Sequence, residues 1–191
     1  MLPAPNELKQ TVEQLLPGVS LTLEGDLLLV AAHELPAVCR CLKEHERFHL
    51  DYLANLTAVD YPPTPASSAS PPEIAERFRG LSPGNASHFT GQNEAAGAGR
   101  IEVVYHLYSM AKKHGPVALK VRVPRSHPVV PSVTPIWRGA EFQEREVYDL
   151  FGVTFEGHPD LRRILMWEGF DGHPLRKDYV VEDQDLLEER R

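Results

Sequence analysis

Two runs decide the fold class: Arg100-Ile-Glu-Val-Val-Tyr-His-Leu-Tyr-Ser109 and Val117-Ala-Leu-Lys-Val-Arg-Val123. Both are short, rich in β-branched and aromatic residues, and alternate with period two, as half-buried strands do. In the second, Val117, Leu119, Val121 and Val123 face one way and Lys120 and Arg122 the other. One sheet face is therefore apolar and the opposite face polar or covered. Lys112-Lys113-His114-Gly115 joins the two runs as a basic turn.

Upstream, residues 6–16 read as a helix with Asn6 as its N-cap and Leu8, Val12, Leu15 and Leu16 along one side, ended by Pro17-Gly18. Residues 19–23 alternate, Glu24-Gly25-Asp26 is a turn and 27–31 is an apolar run, which predicts an antiparallel hairpin. Residues 33–45 predict a second helix, with Leu35, Val38, Cys39 and Leu42 at helical spacing and Pro36 tolerated in its first turn. Lys43, Glu44 and Glu46 mark its charged face. Residues 48–61 are strand-like, with Leu50, Tyr52, Leu56 and Val59 interrupted at Asn55 and Thr57 as by a bulge. The order helix, strand, strand, helix, strand, strand, strand predicts an α+β fold of two layers, with one mixed sheet and helices mostly on one face.

Residues 62–99 change composition to Pro, Ser, Ala, Gly and Asn, and read as a loop insertion too poor in large apolar side chains to offset its ordering entropy. At 191 residues the chain suits one α+β domain over 1–135. Residues 136–191 then follow as a helix and an extended tail. A net charge of -7 and a pI near 5.7 argue against a general nucleic-acid binder. No apolar run approaches the ~20 residues that span a bilayer, and the N-terminus lacks the basic start and apolar block of a signal peptide. The expectation is a cytoplasmic chain that meets a membrane only through partners.

After the second strand, Pro128, Pro131 and Pro135 impose an extended or turning path, and Trp137 leads into a helix over 140–151, bounded by Gly139 and Gly152. Gly152 stands where a C-cap belongs. Ala140, Val147, Leu150 and Phe151 form an apolar stripe. Glu141, Arg145 and Asp149 run down the far side as an i, i+4 ladder, expected to be solvated or partner-facing. Glu144 falls on the apolar side, where an ionised carboxylate needs a partner; Arg162, Arg163 and Arg176 are the nearest downstream cations. The tail mixes these arginines and Lys177 with Trp167, Phe170, Leu175 and Tyr179. That is a composition found both at interfaces and where a tail packs on its own domain.

Cys39 and Cys41 cannot supply the four thiolates of an iron-sulfur cluster, and on a helix they diverge by about 200°. Nine histidines form no His-x-x-x-His pair on a predicted helix. His158 and His173 recur in two Gly-His-Pro turns. Glu144 and Glu146 diverge too far to flank one bond, and nucleophile elbow, phosphate loop and dinucleotide fingerprint are all missing.

Glu144-Arg145-Glu146, followed by Asp149, Leu150-Phe151, His158, Arg162 and Ile164-Leu165, resembles a signature of proton-translocating NADH:quinone oxidoreductase, respiratory complex I. The signature is that of its C-type, thirty-kilodalton subunit family. The continuation Gly172-His173-Pro174-Leu175-Arg176-Lys177-Asp178-Tyr179 is similar to the family's tail, and a weaker likeness runs back through residues 52–61 and 101–109. The resemblance implies a non-catalytic subunit on the cytoplasmic side of the membrane, in the peripheral arm. It also implies packing against the quinone-site large subunit and the iron-sulfur subunits, with no cofactor in this chain. Flavin and iron-sulfur clusters are expected in the partner subunits, which carry electrons from NADH to quinone coupled to proton translocation. The signature residues, with His173, Arg176, Asp178 and Tyr179, are then the expected partner interface. Two other readings stand beside it. One is the equivalent subunit of a related membrane-bound hydrogenase or other-donor dehydrogenase; the other is a free-standing metal-dependent hydrolase using His158, His173 and Asp160 or Asp171.

Overall fold

A computed structural model describes residues 4–63 and 98–180. In chain order its elements are α1 (Pro5–Leu15), β1 (Thr22–Glu24), β2 (Leu27–Val30), a 3-10 turn (Ala32–Glu34) and α2 (Leu35–Glu44). Then come β3 (Tyr52–Tyr61), β4 (Arg100–Ser109), β5 (His114–Pro124), β6 (Val129–Pro131), α3 (Ala140–Phe151) and β7 (Thr154–Glu156). The first five strands form one mixed sheet in the order β1-β2-β5-β4-β3, with β2 and β5 parallel and the other pairings antiparallel. This is the predicted α+β class and element order.

The period-two alternation carries straight across the sheet. Leu28, Leu119, Tyr105 and Leu56 form one transverse row and Val30, Val121, Val103 and Ala58 the next. All are buried on the face that α1 covers with Leu8 and Val12, and α2 with Leu35, Val38, Cys39 and Leu42. Each fully buried Leu or Val there contributes about 1.5–3 kcal/mol. The opposite face is polar and internally paired. Glu102 accepts from Arg100 (3.0 Å), Arg122 (2.7 Å) and Lys120 (3.1 Å), while Glu24 pairs with Lys120 (3.0 Å) and Arg122 (3.1 Å).

Several local expectations need correction. Ala4, not Asn6, is the N-cap of α1, because Pro5 takes the first helical position, where its missing N–H is no loss. Leu15 lies half exposed, while Leu16 beside it packs against the core. The second helix opens as a 3-10 turn before Leu35. Strand β3 begins at Tyr52; Phe48 and Leu50 are buried from the preceding loop, while Tyr52 and Val59 point outward. A register shift between Leu53 and Asn55 is the bulge that flips the alternation. His114 and Gly115, expected in the turn, already belong to β5.

The proposed insertion falls almost wholly on residues 64–97, outside the described residues. Its two ends meet: Tyr61 pairs with Arg100, and a Cβ on Gly99 would stand 2.8 Å from Pro63. Helix α3 lies along β3, where Gln143 Oε1 accepts the Leu56 N–H. The parallel pair β6–β7 flanks it with Val130 and Phe155 buried.

Candidate docking site on the third helix and the tail

Glu144 sits on the inner side of α3, as its position on the helical wheel requires, and is fully buried. The partners that meet it are hydrogen-bond donors rather than an arginine. Ser132 Oγ donates to Oε2 at 2.6 Å, the Val133 N–H to Oε1 at 2.7 Å and Thr134 Oγ1 to Oε2 at 3.1 Å. The Pro-bounded loop after β6 is held there by the Ser132 N–H, which donates to Glu156 O on β7. Burial raises the Glu144 carboxyl above its ordinary range, against the pull of the three donors and the nearby His158. The His158 ring, 4.0 Å away and itself enclosed, accepts the Asp160 N–H at Nδ1 and donates Nε2–H to Glu141 O at 3.0 Å. The expected cation is spent elsewhere, because Arg162 pairs with Asp160, Arg163 with Asp149, and Arg176 donates to Phe151 O.

The charged ladder is likewise not solvated. Asp149 is fully buried and Arg145 only 6% exposed, because the chain after β7 turns back and lies over that face. Asp149 Oδ2 accepts three consecutive backbone N–H groups, from Ile164 (3.0 Å), Leu165 (2.8 Å) and Met166 (2.9 Å), and Oδ1 accepts Arg163 at 2.6 Å. Burial would raise this carboxyl, but those four donors outweigh it and hold it below the ordinary carboxylate range. Arg145 in turn donates Nε to Arg162 O and Nη2 to Arg163 O. A 3.6-residue period places side chains on a wheel; it does not tell which sectors an aperiodic segment will cover.

The same tail caps the helix. The last carbonyls of an α-helix have no intrahelical partner, and here three of them find one. Asp149 O accepts Arg163 and the His173 ring (3.0 Å), Leu150 O the Leu175 N–H, and Phe151 O the Arg176 Nε (2.6 Å). Gly152 makes the turn at φ 71°, and a Cβ there would collide with the His173 ring. Leu150 and Phe151 are buried beneath, and Glu146 points to solvent.

Farther along, Arg125 on the sheet side bonds Asp60 through Nε (2.6 Å) and Asp178 through Nη1 (3.0 Å), and Asp60 also accepts the Lys177 N–H at 2.8 Å. Tyr179 follows, its ring stacked 6.1 Å from Phe170. Sequence reasoning missed Asp60, Arg125, Ser132 and Thr134. Only Asp60 carried a signal, as a carboxylate on the same strand face as Leu56 and Ala58.

The fourteen expected site residues thus resolve into three groups: Glu144 with His158; Asp149 with Arg145, Ile164, Leu165, His173 and Arg176 over Leu150 and Phe151; and Asp178 with Tyr179. Glu146 and Arg162 stand apart at the surface. His158 and His173 bond carbonyls of Glu141 and Asp149, eight residues or about 12 Å apart along the helix, so they do not converge on one ion. Among the described residues no group of three or more His, Cys, Asp or Glu side chains is placed to hold a metal, and no helix is long and apolar enough to cross a membrane. What the site offers instead is surface. Phe142, Leu165, Trp167 and Leu175 are each about half exposed on a backbone pinned by the bonds above.

Comparison with known proteins follows the same residues. The family described as "Respiratory-chain NADH dehydrogenase, 30 Kd subunit" matches residues 28–185. A C-type subunit of NADH-quinone oxidoreductase from Rhizobium meliloti (strain 1021) is 40% identical over 80% of this chain. The corresponding C-type protein of Moorella thermoacetica is 38% identical over 92% of this chain and 95% of its own length. The chain spans 64% of the length of the Rhizobium meliloti protein and 65% of a similar one from Rhizobium etli. In fold, a chain in the structure of an archaeal membrane-bound sulfane sulfur reductase, a respiratory membrane complex, superposes with a TM-score of 0.59 at 22% identity. That likeness covers 97% of this chain and 89% of the other.

Proposed function

Because this chain belongs to the respiratory-chain NADH dehydrogenase 30 Kd subunit family, we propose that it is a structural subunit of an NADH:quinone oxidoreductase. It helps to hold the quinone-site large subunit and the iron-sulfur subunits in the peripheral arm, on the cytoplasmic side of the membrane. Flavin and iron-sulfur clusters in those partners carry the electrons. Residues 1–135 serve as scaffold and residues 136–191 as the element that meets the partners.

The observation that carries the reading is how the signature carboxylates are used. Glu144 and Asp149 are enclosed and saturated by donors of the chain itself, Glu144 by the loop before the helix and Asp149 by the tail. Their chemistry is spent on structure, and that of Asp149 on fixing the tail. A tail fixed in this way presents half-exposed aromatic and aliphatic side chains on a rigid backbone, the kind of anchor that interfaces use.

The test is to purify the tagged chain from gently solubilised membranes. A multisubunit, iron-sulfur-rich complex that reduces quinone with NADH is the expected companion, while the chain separated from it carries neither iron nor flavin. Elution alone, or with a nickel-site large subunit and no NADH-oxidising subunit, would overturn the assignment.

A further inference from the structure

Among the described residues, Arg145 is a buried cation with no carboxylate paired to it. A guanidinium has five N–H donors. Here Nε and Nη2 reach only two backbone carbonyls, both at 3.2 Å, longer than the roughly 2.7–2.9 Å of a charge-assisted bond. Asp160 is close enough to feel the Arg145 charge, but its carboxylate is held by Arg162 at 2.8 Å. The third nitrogen, Nη1, makes no bond among the described residues and is not one of the enclosed polar atoms left without a partner, so it opens at the surface. Beside it the Phe142 ring, 59% exposed, lies 5.6 Å from the guanidinium carbon. Arg138 is exposed one turn before Phe142, and Ile164 and Leu165 follow the two carbonyls that hold the guanidinium.

A charge withdrawn from water without a counter-ion is costly, and the cost is relieved when a partner supplies one. Taking the subunit reading above as given, we infer that this surface receives an Asp or Glu side chain of a neighbouring protein in the assembly. The carboxylate sits on the open edge of Arg145, and apolar neighbours in the partner cover Phe142. Desolvated Arg and aromatic pairs of this sort are what interface centres favour. Glu141, Glu146 and Asp160 border the patch and would repel an extended anionic lipid surface far more than a single carboxylate seated on the open guanidinium edge. With Phe142 and Leu165 exposed beside it and in need of apolar cover, the patch selects a protein partner.

The test uses the full chain in its complex. Variant and wild-type chains are co-expressed at equal level and their ratio in the purified complex is read. Arg145→Gln is expected to be incorporated about thirtyfold less than wild type, the low end for truncating one partner of a buried hydrogen-bonded charge pair. Arg145→Lys falls between the two, since it keeps the charge and loses the fork. Leu15→Glu, exposed at the end of α1, competes equally with wild type. Because Arg145→Gln also loosens the tail within the chain, a second measurement stands apart from folding. With Phe142 replaced by p-benzoylphenylalanine, light should cross-link the assembled chain to one partner, at a peptide containing Asp or Glu. Equal incorporation of Arg145→Gln, or a silent position 142 in an assembled complex, overturns the inference and leaves the subunit reading intact. If the wild-type chain enters no complex, the reading fails and the inference falls with it.

Discussion

Arg163 and Asp149 are joined twice: Nη1 donates to the Asp149 carboxylate at 2.6 Å and to its main-chain carbonyl at 3.1 Å. The pair closes a ring of chain that runs from the last turn of α3 through β7 and back. The tail is therefore part of the fold's tertiary structure, although it has no periodicity of its own. Its order depends on a buried carboxylate in a helix that was itself legible from sequence.

Asp149→Asn should release that ring. Asparagine keeps the shape, but it removes the charge that three N–H groups and a guanidinium were placed to meet. Losing one partner of a buried pair costs about 3 kcal/mol. Hydrogen exchange should show the amides of residues 164–166 losing protection while those of the sheet keep theirs. Unchanged protection at 164–166 would mean the tail is held by packing rather than by this carboxylate.

Gly152→Ala should be destabilising on two counts. The φ of 71° lies in the left-handed region, which costs a residue with a Cβ about 1–2 kcal/mol. The added atom would also collide with the His173 ring and break its bond to Asp149 O. A fall of about 2 kcal/mol or more in urea unfolding is expected. A neutral result would show that the tail yields at no cost.

Shortening residues 64–97 to a brief turn should leave the fold nearly intact. The ends of β3 and β4 already pair, and Pro63 approaches Gly99, so a short connection closes the hairpin. Loop closure depends only weakly on length, about 0.6 kcal/mol per doubling. The shortened chain should melt within a few degrees of the parent and enter the complex normally. Normal melting with lost assembly would assign the segment a partner.

How far these features could be read in the sequence varied with the physics behind each. The bounds of α3 were legible because Gly139 and Gly152 punctuate a run without Gly or Pro. The core rows of β4 and β5 were legible because alternation maps directly onto sheet faces. The environment of Arg145 and Asp149 was not, since the segment that covers them has no pattern and is placed by hydrogen bonds to backbone N–H groups, which nearly every residue possesses. Glu144 lay between: its burial followed from the wheel, but an expectation of an arginine partner overlooked that two hydroxyls and an N–H can meet a carboxylate as well. Nothing in Ser132-Val133-Thr134 marked it as that partner.

Glu102 sets an acid limit. Burial would raise its carboxyl, but bonds from Arg100, Arg122 and Lys120 outweigh it and hold it at about 2, against an ordinary 4.5. A depressed folded value stabilises the protein above the unfolded value, and that contribution is lost as pH falls through the folded one. Stability should therefore decline from about pH 4.5 towards 2, and the decline should be shallower in Glu102→Gln. Urea midpoints measured across that range check it; parallel curves for the two proteins would rule Glu102 out as the source.

Glu144 works in the opposite sense and separates charge from shape. Its carboxyl is raised chiefly by burial, so the folded chain binds a proton more readily than the unfolded chain does. Its contribution is largest at acid pH and declines as pH rises through the folded value. Glu144→Gln resembles the protonated form. Its amide oxygen can still take the Val133 N–H bond, and the Ser132 and Thr134 hydroxyls can turn from donors into acceptors. The change should cost about 1 kcal/mol or less, and the difference from wild type should move in favour of Gln between an acid pH near the ordinary carboxylate value and a higher pH, as the raised folded value is passed. Glu144→Ala leaves the Val133 N–H buried without an acceptor and opens a cavity beside β6, for a loss of about 3 kcal/mol or more. Urea unfolding of all three proteins at the two pH values decides between them. If Gln proves as damaging as Ala, the negative charge itself, and not the shape of the side chain, holds the loop.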